Sequence, residues 1–561
     1  MDDIREVLAR VVKEVFGVHA EPELATTDEQ FGDYATNVAM QLAKQLKRNP
    51  REVADELVPP LFEALSMQVA EITIAGPGFI NIRLSDQTIF DQALAAPSTK
   101  LQTFAGQTVV SEYSDPNPFK VLHAGHLYTS VVGDAISRLI QAAGGEVHAV
   151  NFGGDVGLHV GKTMWAIVQD VGGEKPELLQ NIAPAERAEW MAKKYVVGTQ
   201  AYETDEQAKT QIIELNKRVY QVHAEGDTDT PFAQMYWTCR QWSYDYFNEF
   251  YARLGTAFEK YYPESQTAPI GVATVKEQLA KGVYQESDGA IVFVGEPYGL
   301  HTRVFINSAG LPTYEAKDVG LMMAKWHDYH FDKSIIITGN DIIEYMKVVL
   351  KSIEQFAPEF VQRTTHLTHG QVKLEGGVKM SSRKGNFLRA VDVLDAAAKA
   401  NKQATGRDDE QAVLGAVKYA FLKQRIGPDI IYNPEESVSL EGNSGPYLMY
   451  AHARARSILA KAASPEYMAG DEGFELQPLE RSLARDIARY PQVVQKAVTD
   501  LMPHHICTYL YELAQTFNRF YEKNRVIGDP REAQRLVLVA LYADVLKDGL
   551  QLLGIVAPNR L

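Results

Sequence analysis

Cysteine is almost absent. Cys239 and Cys507 are the only two in 561 residues and lie far apart. A disulfide framework is thereby excluded. His504 and His505 stand beside Cys507, but no second ligand pair follows at zinc-finger spacing, so a cysteine-built zinc site is not expected either. Long apolar runs are also missing. None approaches membrane-spanning length, and the opening Met1-Asp2-Asp3-Ile4-Arg5 is charged. Positive charge is in deficit: 56 Lys and Arg stand against 72 Asp and Glu, a net −16. Indiscriminate binding to nucleic acid needs an excess of positive charge and is excluded. A specific RNA binder with a concentrated basic patch is not. No internal repeat or low-complexity stretch occurs. The expectation is a soluble protein of a reducing, cytoplasmic compartment with no membrane contact.

What is present is a globular composition, 45% hydrophobic, 10% aromatic and 23% charged. The length suggests about four ordinary domains. Residues 1–95 read as a small α+β unit. Ile4, Leu8, Val11, Val12 and Val15 recur at helical spacing, and a second helical stretch carries Val38, Leu42, Leu46, Val53 and Leu57. Val69, Ile72 and Ile74 then lead into Gly76-Pro77-Gly78 and Phe79-Ile80-Asn81-Ile82, a hairpin signal. Ala95 to Thr99 reads as a linker.

From Thr108 the pattern becomes strand, Pro-rich loop, helix and strand: Thr108–Tyr113, a helix over 126–140, then Glu146–Asn151. Such a βαβ unit implies a parallel sheet. Residues 165–260 read as a helical insertion. Further strands are expected at 290–294, 304–306 and 334–338, so that inserted sequence splits the sheet. From 391 to the end the chain reads as all-helical, a bundle of about four or five helices. The fold class is therefore α/β, with a parallel-sheet domain over 107–390 between a small α+β unit and a helical bundle.

Two elements carry chemistry. The first is His123-Ala124-Gly125-His126, which opens a helix after a polar loop. A helix N-terminus offers unpaired N–H groups and a positive dipole end to phosphate. Gly125 would let a flat base approach the backbone, and two imidazoles at i, i+3 can donate to one phosphate chain. Alone, the pair reads equally well as two capping or solvent-facing histidines, or as part of a metal site. The second is Gly376 to Asn386, a Gly-bounded loop with Lys379, Arg383 and Lys384 that could neutralise a pyrophosphate leaving group. Alone, it is a solvated basic loop.

Together these elements resemble the HIGH and KMSKS motifs of class I aminoacyl-tRNA synthetases. The chain is most similar to the arginyl-tRNA synthetases over nearly its whole length. Asp115-Pro116-Asn117 with Lys120 resembles that family's lead-in to the HIGH motif. Asn151-Phe152-Gly153-Gly154-Asp155-Val156-Gly157-Leu158-His159 resembles N-x-x-G-D-x-G-x-Q, and Lys379-Met380-Ser381-Ser382-Arg383-Lys384-Gly385 resembles K-M-S-T-R-K-G. Gly32–Ala39 and Gly76–Asn81 match the appended N-terminal domain, and Leu550–Pro558 matches the end of the helical anticodon-binding domain.

The resemblance implies a Rossmann-type catalytic domain and ATP-dependent ligation of L-arginine to its tRNA through arginyl-adenylate. The arginine carboxylate would be the nucleophile, activation would need bound tRNA, and the 2′-hydroxyl would be the acceptor. Mg²⁺ would arrive with ATP, no dedicated metal site is expected, and the enzyme would be a monomer. The implied residues are His123, His126 and Lys379 for catalysis; Gly125, Lys120, Ser381 and Lys384 for ATP; Glu112, Asn117, Tyr314 and Asp318 for arginine; and Phe79, Asn81, Phe517 and Tyr521 for tRNA. Two carboxylates, Glu112 and Asp318, suit a substrate with two cationic groups, though which takes which stays open. Phe517, Phe520 and Tyr521 are periodic enough that core packing is the commoner role for such residues. The chain departs from the pattern at Asp115 (usually Ser), His159 (usually Gln), Ile342 (where Gln is expected) and Leu561 (often Met). The competing readings are a lysyl enzyme of the same class, a non-catalytic synthetase-like protein that binds RNA or senses arginine, and a zinc hydrolase built on His-x-x-His.

Overall fold

The computed structural model describes residues 2–375, 388–462 and 475–560. Helix α1 (Asp2–Phe16) buries Ile4, Leu8, Val11 and Val12. Strands β1 (Ala25–Thr26) and β2 (Tyr34–Thr36) follow. The second helical stretch is two helices, α2 (Val38–Leu46) and α3 (Pro50–Ala64). Lys47 turns left-handed at φ 54°, and Pro50 opens α3 in its first turn, where a missing N–H costs nothing. β3 (Val69–Ala75) and β4 (Phe79–Leu84) form the expected hairpin, with Gly76 at φ 54° and Gly78 at φ 134°. They complete an antiparallel sheet of order β1-β2-β4-β3. Ile80, Ile82 and Leu84 point to the core, and Phe79 and Asn81 to the other face. Helix α4 (Asp86–Ala95) continues into a tight turn with Ala96 buried, so the expected linker is packed.

The middle of the chain runs β5 (Thr108–Glu112), α5 (Ala124–Ala142), β6 (Glu146–Gly153) and α6 (Leu158–Asp170). The predicted insertion holds α7 (Arg187–Thr204), α8 (Glu206–Glu225) and α9 (Pro231–Leu254) around its own apolar core. Then come β7 (Lys260–Pro263), α10 (Glu264–Ala280), β8 (Gln285–Ser287), β9 (Ala290–Phe293), β10 (Arg303–Ile306), α11 (Tyr314–Tyr329) and β11 (Lys333–Gly339). After them are α12 (Ile343–Glu354), α13 (Pro358–Gln362), β12 (Thr364–His369) and β13 (Val372–Leu374).

The central sheet is five-stranded and parallel, in the order β12-β11-β5-β6-β7. Two expectations fail here. The strands at 290–294 and 304–306 do not join this sheet; they form a separate antiparallel sheet with β8, because their short connection permits only a hairpin. The edges are instead β7 and β12, whose Lys-Tyr-Tyr-Pro and Thr/His-rich sequences lack an apolar signature. Chain order runs outward from β5 toward β7 on one side and from β11 toward β12 on the other. The β5–β11 junction is thus a topological switch point, where ligands bind beyond the strand ends in such sheets.

The C-terminal part comprises α14 (Ala390–Thr405), α15 (Glu410–Leu422), β14 (Ile430–Tyr432), α16 (Pro434–Ser437), α17 (Gly445–Lys461), α18 (Pro478–Ala488), α19 (Tyr490–Asp500), α20 (His504–Lys523) and α21 (Glu532–Leu552). It is not all-helical, since β14 pairs in parallel with β13, and it holds more helices than expected. The two apolar faces on α20 and α21 are core, as their periodicity demanded. The N-terminal unit docks on α18. Arg481, 4% exposed, bonds Asp33 (2.8 Å) and Asp86 (2.9 Å), and Arg485 bonds Asp33 at 3.0 Å. Among the described residues no helix is long and apolar enough to cross a membrane.

Candidate active site

The loop between β5 and α5 is held in a conformation that most side chains avoid. Ser114, Asp115 and Phe119 have φ of 76°, 49° and 69°. Each such residue costs about 1–3 kcal/mol unless its surroundings hold it. They do. Asp115 Oδ1 accepts the Phe152 N–H (2.8 Å), and Asn117 Oδ1 accepts the Gly154 N–H (2.9 Å). Ser243 Oγ accepts the Phe119 N–H (2.9 Å). The loop thus lies flat on the end of β6. A Cβ at Gly153 would sit 2.6 Å from the Pro116 carbonyl oxygen, so glycine is required there. Beyond it, His159 donates its Nε2–H to the Gly154 carbonyl (2.7 Å) and braces the same corner.

The loop delivers the histidine pair to the N-terminus of α5. His123 is the N-cap: its Nδ1 accepts the Gly125 N–H, and His126 Nδ1 accepts the His123 N–H, both at 3.1 Å. The rings stack at 3.7 Å between centroids. With Nδ1 accepting, the neutral rings carry their protons on Nε2. Burial, and after it the nearby Lys120, pulls His123 down to about 4; burial, then His123, holds His126 well below the ordinary value. Both rings are therefore neutral N–H donors at pH 7. Capping and phosphate binding are not rival readings, because capping engages Nδ1 whereas a phosphate would meet Nε2–H. Gly125 has a role that sequence reasoning missed: a Cβ there would lie 2.9 Å from the His123 ring.

These groups open onto one cleft of about 1030 Å³ at the switch point. Glu112, Asn117, His123, Gly125, His126, Tyr314 and Asp318 all line it, brought together from β5, the loop, α5 and α11. Lys120 is not on its wall; its ammonium lies 4.6 Å over the Tyr195 ring of α7. Lys379, Ser381 and Lys384 lie outside the described residues. Ile342 lines the cleft as an apolar wall.

Several partners were not foreseen. Glu112 is buried and bonds the buried Lys325 of α11. Glu264, the first residue of α10, bonds Lys317 at 2.5 Å, with both side chains under 5% exposed. Asp155, fully buried, holds the start of α10 by accepting the Ser265 N–H (2.8 Å), and it pairs with Arg240 (2.9 Å). Asp318 accepts from the Tyr345 hydroxyl of α12. Burial pushes Asp318 up to about 7, against that hydrogen bond. Burial, and then the Glu112 charge, raises Asp115 well above the carboxylate range. A signal did exist: Lys325 is i+7 from Asp318, so both fall on one face of α11.

The residues expected to meet tRNA divide. Phe79 is 41% exposed on the N-terminal sheet, whereas Asn81 beside it is 8% exposed, shouldered by β2 and β3. Phe517 is wholly buried, stacked on Tyr542 at 3.9 Å, and belongs to the core. The reason is the α20 periodicity itself. Tyr521 is half-buried under the Arg454 guanidinium at 4.6 Å.

Comparison with known proteins agrees with this architecture. Residues 90–433 match the family described as class I (R) tRNA synthetases, catalytic domain. Residues 2–84 match the arginyl tRNA synthetase N-terminal domain, and 448–561 the DALR anticodon binding domain. An arginine–tRNA ligase of Bacteroides thetaiotaomicron is 28% identical over 582 residues, covering 96% of this chain and 95% of that protein. One from Bacteroides fragilis is 29% identical over 592 residues, covering 97% and 96%. Among solved structures, the Thermus thermophilus arginyl-tRNA synthetase superposes with a TM-score of 0.78 at 24% identity, covering 100% of both chains. The Plasmodium falciparum enzyme superposes with a TM-score of 0.80 at 20% identity, covering 100% of this chain and 99% of that one. With its catalytic, N-terminal and anticodon-binding regions each matched along one chain, this protein belongs to the class I arginyl-tRNA synthetases.

Proposed function

We propose that the chain ligates L-arginine to its cognate tRNA, consuming ATP through an arginyl-adenylate and releasing AMP and pyrophosphate. One observation carries this reading: a single cleft joins two neutral imidazole donors at a helix N-terminus to carboxylates that bury negative charge. The first set suits phosphates and the second a guanidinium substrate.

The substrate's own carboxylate attacks the α-phosphorus of ATP and pyrophosphate leaves, so the protein need supply no nucleophile. Its contribution is in-line positioning and charge stabilisation. His123 and His126 donate Nε2–H to phosphate oxygens, Gly125 lets the His123 ring fold back to do so, and Asn117 fixes the loop. Lys379 and Lys384, with Ser381, meet the leaving pyrophosphate from the basic loop. Lys120 joins them only by leaving the Tyr195 ring. Mg²⁺ would reach the site with the triphosphate, where it would neutralise phosphate charge without a dedicated protein cage.

The aminoacyl group then passes to the 2′-hydroxyl of the terminal adenosine of the tRNA. Residues 1–95 with Phe79 and residues 391–561 with Tyr521 bind the tRNA, 107–390 carries the chemistry, and the enzyme works as a cytoplasmic monomer.

Charging total tRNA with each standard amino acid in turn tests the reading. Arginine alone should be incorporated; lysine in its place would select the lysyl alternative, and no charging would select a non-catalytic role. Lys379→Ala should cut pyrophosphate exchange strongly while arginine binding changes little. Exchange at the wild-type rate would remove the leaving-group role.

A further inference from the structure

The last residue of the edge strand β12 is a histidine that packing alone does not call for. His369 is buried at the wall of the cleft, and both its ring nitrogens are engaged. Nδ1 lies 2.8 Å from the Gly370 carbonyl oxygen, which can only accept, so this nitrogen carries the hydrogen of the neutral ring. Nε2 lies 2.6 Å from the Thr129 hydroxyl of α5, and the ring packs against Tyr128 at 4.5 Å between centroids. Burial holds His369 below its ordinary value, so at pH 7 Nε2 is bare and can accept from Thr129. The Thr129 oxygen also lies 2.8 Å from the Gly125 carbonyl oxygen, one turn earlier. Its one hydrogen has two acceptors in reach, and a single hydroxyl joins the end of β12 to the turn that carries the histidine pair. A second tie reaches the same turn through backbone. The Leu388 carbonyl accepts the Ala124 N–H (2.7 Å), and the Leu122 carbonyl accepts the Ala390 N–H (2.9 Å).

Resting on the reading above, we propose that His369 is a positioning residue: through the Thr129 hydroxyl it sets the first turn of α5, and so the direction in which His123 and His126 present their donors. Two uncharged imidazoles stabilise developing phosphate charge only if they are already aimed, since donors that must reorganise lose much of their worth. The turn beneath them contains Gly125, whose backbone is the least constrained by its own side chain, and the His123 ring occupies the space a Cβ would take. An outside tie has most effect at such a place. Thr129 holds the carbonyl of that same glycine, and His369 holds Thr129. An apolar residue at 369 would fill the space against Tyr128 but leave the turn untied to β12. The other histidine of the strand shows the same pairing used within the sheet: His366 Nε2 lies 2.7 Å from the Thr338 hydroxyl of β11. At i, i+3 on a strand the two rings face opposite sides, so one serves the sheet and the other serves α5. In this scheme His369 touches neither phosphate nor arginine and acts wholly through Thr129.

The test is arginine-dependent pyrophosphate exchange by the full-length enzyme with tRNA present, each rate scaled to the folded fraction from a melting curve. His369→Phe keeps a ring against Tyr128 and removes both hydrogen bonds. Thr129→Val removes the hydroxyl at nearly constant shape. Each should lower kcat by roughly ten- to hundredfold, the cost of slightly misplaced groups, with little change in KM for arginine. Because both act through one hydroxyl, the double variant should be no slower than the slower single one. His369→Gln, whose amide oxygen can accept from Thr129, should keep most of the rate. The proposal falls if His369→Phe exchanges at the wild-type rate, if its loss only tracks the folded fraction, or if His369→Gln is as slow as His369→Phe. It falls equally if the two losses multiply in the double variant, which would make the residues independent. A wild type that supports no exchange with arginine would instead remove the functional reading, and the proposal with it.

Discussion

Asp318 shows what a single side chain contributes and what it costs. Its carboxyl is pushed up to about 7 chiefly by burial, so the free protein resists ionising it. Binding a guanidinium requires the ionised form. With Asp318 among the carboxylates proposed to meet the guanidinium, arginine binding should release a proton, and binding should weaken as pH falls through that value. KM for arginine should rise below pH 7, approaching roughly tenfold per pH unit. Asp318→Asn should flatten the dependence while raising KM at pH 8. An arginine KM that is level from pH 8 to 6 in the wild type would contradict this. The same shift opposes folding above the unfolded carboxyl value, because the native state holds a proton that the unfolded chain releases. Asp318→Asn should accordingly raise the melting temperature of the free protein at pH 8.

At the scale of one element, the N-terminus of α5 is built so that capping and ligand binding share two imidazoles. The arrangement depends on the absent Cβ at Gly125. Gly125→Ala replaces glycine near a helix start, a change that by propensity alone favours the helix by up to about 1 kcal/mol. It also drives the His123 ring out of place. The expected outcome is a divided one: thermal stability unchanged or slightly higher, with kcat/KM for ATP lower by at least roughly tenfold, in line with a displaced transition-state donor. Parallel loss of stability and activity would mean that the ring and the glycine are not coupled. Helix α10 makes the same point from the opposite side. Its first turn is held by Asp155 from the end of β6, so Glu264 and Lys317 stay fixed beside the substrate floor.

Over the whole molecule, the N-terminal unit is joined to the anticodon-binding region by the Arg481 and Arg485 clamp on Asp33 and Asp86. Removing one member of such a buried network leaves an uncompensated charge and costs about 3–5 kcal/mol. Arg481→Met should loosen the N-terminal unit, seen as faster proteolysis in the turn around residues 96–99. The KM for tRNA should rise while tRNA-saturated turnover changes little. A variant that stays as protease-resistant as the wild type would show the clamp to be dispensable. With a net charge of −16, the phosphate-binding surface has to be local, and the tRNA KM should climb with salt.

The sequence alone determined much of this protein. Periodicity marked the buried faces of α1, α20 and α21. The strand–loop–helix–strand run marked the parallel sheet, and the two motifs marked the family, because these signals reside in neighbours along the chain. Tertiary structure decided the rest. It placed β9 and β10 in their own sheet, and it completed the edges with β7 and β12, which carry too few apolar residues to announce themselves. It also decided which acids on the cleft floor are already neutralised, since Lys325 reaches Glu112 across 213 positions of sequence. A side chain's type is written locally, but its charge balance belongs to whatever folds against it.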